Sequence, residues 1–266
     1  MNYEIDITYG CNLSCKWCNR LCGTQYRASQ EMSLEQFEQL VLKIAPTLQA
    51  DSTIRICGGE PMLHSKIFDI LDIAVKVLRP LLKSPINIMS NGFGEEVVKI
   101  LAEVRKRYDT EDNPYLNPYF APSYRSNPKQ FRIIISKSTS TAQKNYNKSH
   151  RPIFRASIDY LNQDQIDAFA ETCLTSARCG LGATTKGFYP CCMGNSIDTI
   201  FGLQAGLDYP PSPEELRAQK RRICKYCYMP CDPSIRGIFF KSLKELITPD
   251  ELISPTYAAE FKKIQD

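Results

Sequence analysis

The sequence has 266 residues, of which 43% are hydrophobic and 23% charged, and its net charge is +4. This composition is typical of a globular protein, the charge is too small to indicate a nucleic-acid partner, and no apolar run approaches the ~20 residues needed to cross a membrane. The first residues, MNYEIDITYG, have neither the basic start nor the apolar centre of a secretion signal, which favours a cytoplasmic protein.

Strand and helix patterns alternate through the first part of the chain. Strands are predicted at YEIDITY, STIRIC, INIMS, FRIIISKS and FRASIDYL, which are rich in branched and aromatic residues. Apolar residues recur at helical spacing in SLEQFEQLVLKIAPTL, SKIFDILDIAVKVLRPLL, EEVVKILAEVRKRY and NQDQIDAFAETCL. Ser33 is the predicted N-cap of the first helix. The alternation predicts an α/β fold of βα units around a parallel sheet.

The pattern changes in two places. The stretch between Tyr108 and Lys129 is polar and rich in Tyr, Asn and Pro, and it is too long for a simple turn, so it is either a loop that covers a substrate or a solvated insertion. The alternation fades after Cys173, where GATTKGFYPC predicts a small hairpin that turns near Lys186 and Gly187. We therefore predict a domain boundary near residue 165, with units at 1–165 and 166–266.

The 12 cysteines fall into two groups. In a reducing cytoplasm, clustered cysteines indicate metal or redox chemistry rather than disulfides. Cys57 stands alone between the groups, and the others are Cys11, Cys15, Cys18 and Cys22, then Cys173, Cys179, Cys191, Cys192, Cys224, Cys227 and Cys231.

The opening group has three residues between its first two cysteines and two before the third. Thiolates select zinc, copper(I) or iron–sulfur clusters. A structural zinc site needs four ligands, for which Cys22 is the one local candidate. A cubane cluster can instead be held by three cysteines, with its fourth iron open to another ligand. The spacing favours this second hypothesis and leaves zinc as the alternative.

Four features resemble the radical S-adenosylmethionine (SAM) family. The Cys-x3-Cys-x2-Cys pattern follows a predicted strand and has an aromatic residue, Trp17, before its last cysteine. CGGEP at 57–61, MSNG at 89–92 and Ser136 resemble further family motifs at the ends of the next three strands. Parallel α/β folds place their chemistry at these strand ends. Cys22 falls outside the pattern and is interpreted as a spare thiol, and Cys57 as a strand-packing residue.

The resemblance implies a partial (β/α)6 TIM-like barrel and a SAM-binding [4Fe–4S] cluster on Cys11, Cys15 and Cys18. In this family the open iron chelates SAM, electron transfer breaks a carbon–sulfur bond, and the 5′-deoxyadenosyl radical takes a hydrogen atom from the substrate. It also implies an external reductant of the flavodoxin or ferredoxin type. The expected SAM-binding residues are Trp17, Gly58, Gly59, Glu60, Pro61, Ser90, Asn91 and Ser136.

The second cysteine group resembles the twitch extension of radical SAM enzymes, a shortened relative of the SPASM domain that holds one auxiliary [4Fe–4S] cluster. Cys191, Cys224 and Cys227 match its pattern best. Cys173 is the preferred fourth ligand, ahead of Cys179 and Cys231. The alternative is a zinc ribbon built from Cys179, Cys191, Cys224 and Cys227.

These features predict an enzyme, a radical SAM oxidoreductase or epimerase. The segment FYPCCMGNSIDTIFG resembles one found in twitch enzymes that act on sugars and cyclitols, and the chain begins at its first strand without a leader-binding domain, so we expect a small polar substrate. An auxiliary cluster that accepts an electron would give oxidation, whereas a thiol such as Cys192 or Cys231 that returns a hydrogen atom would give epimerisation. The alternatives are a peptide-modifying enzyme and a non-catalytic zinc-binding interaction module.

Overall fold

The computed structural model describes residues 1–13, 15, 18–22, 30–108, 111–112, 133–137, 154–229 and 253–265. Trp17, Cys231 and most of the Tyr-rich stretch after Tyr108 lie outside these residues, as does the side chain of Ser136. None of the helices in the described ranges combines the length and the apolar character needed to cross a membrane.

The described strands form one sheet in the order β4-β5-β3-β2-β1-β6-β7. All neighbouring strands are parallel except β6 and β7, which form an antiparallel hairpin. The predicted α/β fold with a parallel sheet is confirmed, and the open strand order is consistent with a partial barrel. The strands are β1 Tyr3–Thr8, β2 Ile54–Gly58, β3 Ile86–Ser90, β4 Glu111–Asp112, β5 Ile133–Lys137, β6 Leu181–Thr184 and β7 Gly187–Tyr189.

Helices connect and cover these strands. Three of them begin at a capping box, in which the N-cap side chain and the third helical side chain bond each other's backbone. Ser33 makes this box with Gln36 at the start of α1, as the sequence predicts for the N-cap. The helices are α1 Leu34–Ile44, α2 Ile67–Val77, α3 Glu95–Tyr108, α4 Gln163–Thr172, α5 Leu174–Cys179, α6 Gly194–Phe201, α7 Pro213–Ile223 and α8 Pro255–Gln265.

Strand β1 has two chemically different faces, because successive side chains of a strand point to opposite sides of the sheet. Tyr3, Ile5 and Ile7 belong to the main hydrophobic core, together with residues of α1, α2 and α3. We call this the outer face. The alternate residues, Glu4 and Asp6, lie on the inner face, and both are buried. The inner face is therefore a place where charge is held away from water.

The predicted strand FRASIDYL is wrong. Residues 154–156 have no regular structure, and Ser157–Asp159 forms a single turn of 3-10 helix. The buried Ser157 hydroxyl donates to the Cys227 carbonyl at 2.5 Å, and the Phe154 ring packs against Tyr257 of α8. The apolar alternation of this segment thus reflects contacts with distant parts of the chain rather than a place in the sheet.

The predicted hairpin is present as β6 and β7, and it belongs to the main sheet. Tyr3 of β1 pairs with Leu181 of β6, and Gly182 of β6 pairs with Tyr189 of β7. The strands on both sides of residue 165 therefore share one sheet. The boundary there stays a prediction.

Candidate cofactor site

The opening cysteines lie in a loop that leaves the carboxyl end of β1. The Cys18 N–H donates to the Cys15 carbonyl at 3.2 Å, and the Leu21 N–H donates to the Cys18 carbonyl at 3.0 Å. Leu21 has a positive φ of 55°, which turns the chain back toward the sheet. Cys11, Cys15 and Cys18 are all half-buried. The loop therefore wraps three thiols around one region at the end of the strand.

The thiols of this loop interact electrostatically. Burial raises the pKa of Cys11, and negative charge on Cys18, Glu60 and Cys15 raises it further. The Cys22 thiol donates a hydrogen bond to Cys18, which lowers the pKa of Cys18 to about 6 and raises the pKa of Cys22. The interpretation of Cys22 as a spare thiol missed this contact. A bound cation or cluster would relieve the repulsion between neighbouring thiolates.

The distances between the sulfur atoms of these thiols can be compared with those in a closed zinc site. Tetrahedral zinc with bonds of ~2.3 Å holds its sulfur atoms ~3.8 Å apart. In the described part of the chain, the sulfur atoms of Cys11, Cys15 and Cys18 are not all within 4.8 Å of one another, and neither are any three ligand atoms of the second cysteine group alone. The thiols of each group are thus more widely spaced than the ligands of a closed zinc site would be.

The glycine loop after β2 lies directly against the cysteine loop. The Gly59 N–H donates to the Thr8 carbonyl at 2.7 Å, and the Glu60 N–H donates to the Gly10 carbonyl at 2.9 Å. A Cβ atom on Gly59 would stand 2.1 Å from the Gly10 carbonyl oxygen. Gly59 therefore lets two backbones meet, and its N–H group is already bound to the Thr8 carbonyl.

Glu60 is fully buried and holds the ends of β2 and β3 together. Its carboxylate accepts hydrogen bonds from the Ser90 hydroxyl at 2.8 Å, the Asn91 N–H at 2.6 Å and the Met62 N–H at 3.1 Å. Burial raises the pKa of Glu60, and these three hydrogen bonds oppose that rise. With three donors already bound, the carboxylate fixes the neighbouring turn. A direct contact of Glu60 with SAM stays a prediction.

Asn91 completes the connection back to the cysteine loop. Its side-chain amide donates to the Asn12 side-chain oxygen at 2.8 Å and lies 3.8 Å from the Cys11 sulfur. Asn12 in turn donates to the Phe93 carbonyl at 2.5 Å. The structure thus gathers Glu60, Ser90 and Asn91, three of the expected SAM-binding residues, beside Cys11. Ser136 lies on β5, where its backbone pairs with Met89.

The second cysteine group comes together from distant parts of the chain. Burial raises the pKa of Cys191, and negative charge on Cys173, Cys224 and Cys179 raises it further. Burial likewise raises the pKa of Cys224 to about 12, with Cys173 the next contributor. Burial raises the pKa of Cys227 well above its usual range, as do Cys191, Cys224 and Cys173. Cys191, Cys224 and Cys227 therefore lie near one another and near Cys173, and Cys179 lies near Cys191.

Cys179 faces a different neighbour. The Cys192 thiol donates a hydrogen bond to Cys179, and this bond and burial raise the pKa of Cys192. Ligand atoms of both thiols lie within 4.8 Å of the Glu4 carboxylate. Arg20 and Arg55 already flank that carboxylate, at 2.5 Å and 3.8 Å. This cluster was not predicted, because nothing in the local sequence connects Glu4 to residues so far along the chain.

The comparison with known proteins decides the family of the first part of the chain. Residues 5–110 match the family described as the Radical SAM superfamily. These residues are a radical SAM domain. It uses SAM and a [4Fe–4S] cluster, which the three thiols and the polar network around Cys11 suit. No curated protein matches the sequence.

Several solved structures align with this chain at low identity. BtrN in complex with AdoMet (SAM) and 2-DOIA is 14% identical, with a TM-score of 0.43 over 85% of this chain and 92% of that chain. Histidine-tagged anSMEcpe with bound AdoMet is also 14% identical, with a TM-score of 0.43 over 99% of this chain and 95% of that chain. Native anSMEcpe with bound AdoMet aligns at 24% identity and a TM-score of 0.31, and this alignment spans only 39% of this chain and 30% of that chain.

We expect Gly59→Ala to destabilise the radical SAM domain, because its new methyl group would push the glycine loop away from Gly10. Filling occupied space in this way costs about 1–3 kcal/mol, measurable as a lower free energy of unfolding in urea. Gly10→Ala is the matched control, since its Cβ would meet only the Thr8 hydroxyl at an ordinary 3.4 Å. Equal stability of the two variants would contradict the proposed close approach.

We expect Glu60→Gln to cost about 1–3 kcal/mol of unfolding free energy, the penalty for leaving a buried donor without an acceptor. Whichever way the new amide turns, one of its N–H groups faces the N–H of Asn91 or Met62. Glu31→Gln is the control, because Glu31 accepts from Ser65 at an exposed site. A Glu60→Gln protein as stable as this control would show that the network carries no stability.

Proposed function

We propose that this chain is an enzyme that takes a hydrogen atom from a small polar, sugar- or cyclitol-like substrate and thereby oxidises it. The observation that carries the proposal is the convergence of three thiols, the Glu60–Ser90 pair and Asn91 at the carboxyl ends of neighbouring parallel strands. Active sites of parallel α/β folds lie at this edge. The radical SAM domain indicates the reaction class, and the substrate class and the oxidation are proposals.

The residues of the domain have distinct proposed roles. Cys11, Cys15 and Cys18 hold the [4Fe–4S] cluster, and Cys22 stabilises the thiolate of Cys18. Asn91 and Ser90 face the bound SAM, with Glu60 fixing both. When bound, the cluster and SAM supply the 5′-deoxyadenosyl radical that removes a hydrogen atom. The remaining SAM-binding residues that we propose are Trp17, Gly58, Gly59, Pro61 and Ser136.

The inner face of the sheet supports a polar substrate. Glu4, Asp6 and Arg55 lie there in a buried environment, with exposures of 2%, 3% and 7%. Burying ionised groups is costly unless they are paired, so an inner face that keeps them is suited to polar rather than apolar neighbours. The inner face also adjoins the strand ends at which we propose that SAM binds and the hydrogen atom is removed.

We propose that residues 166–266 form a twitch-like unit around one auxiliary [4Fe–4S] cluster. Its proposed ligands are Cys173, Cys191, Cys224 and Cys227. Negative charge on Cys173 raises the pKa of each of the other three, whereas among them Cys179 contributes only to the pKa of Cys191 and has Cys192 as its hydrogen-bonding partner. A cluster at this position would supply an acceptor for the second electron of the substrate. A complete four-thiol set therefore favours oxidation over epimerisation, which would need Cys192 to leave its bond with Cys179.

We expect Cys15→Ala to lose the SAM-binding cluster and Cys224→Ala to lose only the auxiliary one. After anaerobic reconstitution the wild type should hold about eight iron atoms per chain and each variant about four, since each cluster contains four. With a chemical reductant, Cys224→Ala should still cleave SAM to 5′-deoxyadenosine, and Cys15→Ala should not.

Cys57→Ala is the control for this experiment, because Cys57 is buried on β2 outside both sets and the variant should keep both clusters. Cleavage of SAM by Cys15→Ala would rule out the proposed ligand set. A wild type that carries zinc in place of iron would rule out the proposed chemistry as a whole.

A further inference from the structure

Arg20 extends from the cysteine loop onto the inner face of the sheet. It lies two residues after Cys18, within the turn that Cys15, Cys18 and Leu21 form. Its Nε donates to the Asp6 carboxylate at 2.8 Å, and its Nη2 donates to the Glu4 carboxylate at 2.5 Å. The guanidinium thus uses two edges of its rigid fork to bind two side chains of one strand. The ammonium group of a lysine does not offer this fixed, planar arrangement of donors.

The Arg20–Glu4 contact lies far along β1 from the carboxyl end of the strand. Glu4 lies four residues before the strand end at Thr8, which at ~3.3 Å per residue places it ~13 Å along β1 from the cysteine loop. At that depth the Glu4 carboxylate lies within 4.8 Å of the Cys179 and Cys192 thiols. Cys192 directly follows Cys191 of the second cysteine set. Arg20 is therefore linked through the Glu4 carboxylate to the second cysteine group.

A second set of contacts leads from the same carboxylates to α6. The Tyr9 hydroxyl donates to Asp6 at 3.4 Å, and the Asn195 amide donates to the Tyr9 hydroxyl at 2.5 Å. Tyr9 and Asn195 are 1% and 2% exposed. Asn195 is in the first turn of α6, just after Cys191 and Cys192. Asp6 is thus bonded directly to Arg20 of the cysteine loop, and it is connected through Tyr9 to α6, the helix that follows Cys191 and Cys192.

The charges of this network balance. Glu4 and Asp6 contribute two negative charges, and Arg20 and Arg55 contribute two positive ones. Arg55 lies 3.8 Å from Glu4 and also donates to the Arg178 carbonyl at 3.3 Å. An ionised group in a dry interior is strongly held to its partner, because moving away leaves both uncompensated. The network therefore fixes positions more firmly than an exposed ion pair could.

We propose that Arg20 is a positioning residue, which holds Cys18 and its cluster at a fixed place relative to the second cysteine set by pairing with Asp6 and Glu4. The inference rests on the proposed function in that Cys11, Cys15 and Cys18 bind the SAM-binding cluster. It assigns Arg20 no contact with SAM or substrate. Its effect is on the geometry of the loop that carries Cys18.

The test compares Arg20→Lys with the wild type, because lysine keeps the charge and so the fold but lacks the fixed, planar pair of donors with which Arg20 binds Asp6 and Glu4. In Arg20→Lys we expect the EPR spectrum of the reduced SAM-binding cluster to broaden and the magnetic interaction between the two reduced clusters to change. We also expect SAM cleavage to slow by about 10–100-fold, because a small misplacement of reacting groups has an effect of this size. Arg20→Gln should show larger changes of the same kind. Arg107→Lys is the matched control, since Arg107 pairs with Asp72 at an exposed site.

Several outcomes would overturn the inference. A folded Arg20→Lys protein with the wild-type spectrum, cluster interaction and cleavage rate would do so. A fall in melting temperature with both spectra unchanged would also do so, because it would show a purely structural role. A wild type whose spectrum does not respond to SAM would overturn the proposed function as well, and that result is separable because it needs no Arg20 variant.

Discussion

Strand β1 is the element on which the candidate site depends, because it pairs with a neighbour on each side. Its pairing with β2 brings the glycine loop against the cysteine loop, where Gly59 bonds the Thr8 carbonyl at 2.7 Å. Its pairing with β6 brings in the hairpin that leads to Cys191 and Cys192. One short strand therefore sets the positions of both cysteine groups, although more than half of the chain separates them in sequence.

The two faces of β1 serve different physical purposes. The outer face carries Tyr3, Ile5 and Ile7 into the core and provides the apolar burial that stabilises the sheet. The inner face carries Glu4 and Asp6, whose burial is tolerated because Arg20 and Arg55 neutralise them. The pairing of these buried charges fixes the geometry between the cysteine loop and the interior of the sheet. Such a geometry suits a site that must align a cofactor with one bond of a substrate.

Local sequence patterns predicted much of the fold, but not how the candidate site is held together. The strands β1, β2, β3 and β5 and the hairpin were readable because their alternation and turn residues are local. FRASIDYL has the same alternation, yet its packing against Cys227 and Tyr257 keeps it out of the sheet. Long-range contacts such as Glu60 with Ser90, or Arg20 with Glu4, leave no local signal, since either partner alone resembles an ordinary surface residue. The preference for Cys173 over Cys179 as the fourth ligand came from the resemblance to twitch enzymes and stays a prediction.

The central claim is that three cysteines leave one iron of the cluster open to SAM. The most direct measurement is electron–nuclear double resonance of the reduced protein bound to SAM labelled with nitrogen-15 at its amino group and oxygen-17 at its carboxylate. Our account predicts hyperfine coupling of both labels to the cluster, in the wild type and in Cys224→Ala. Full iron content without coupling from either label would contradict it, because the cluster would then have no open position for the cofactor.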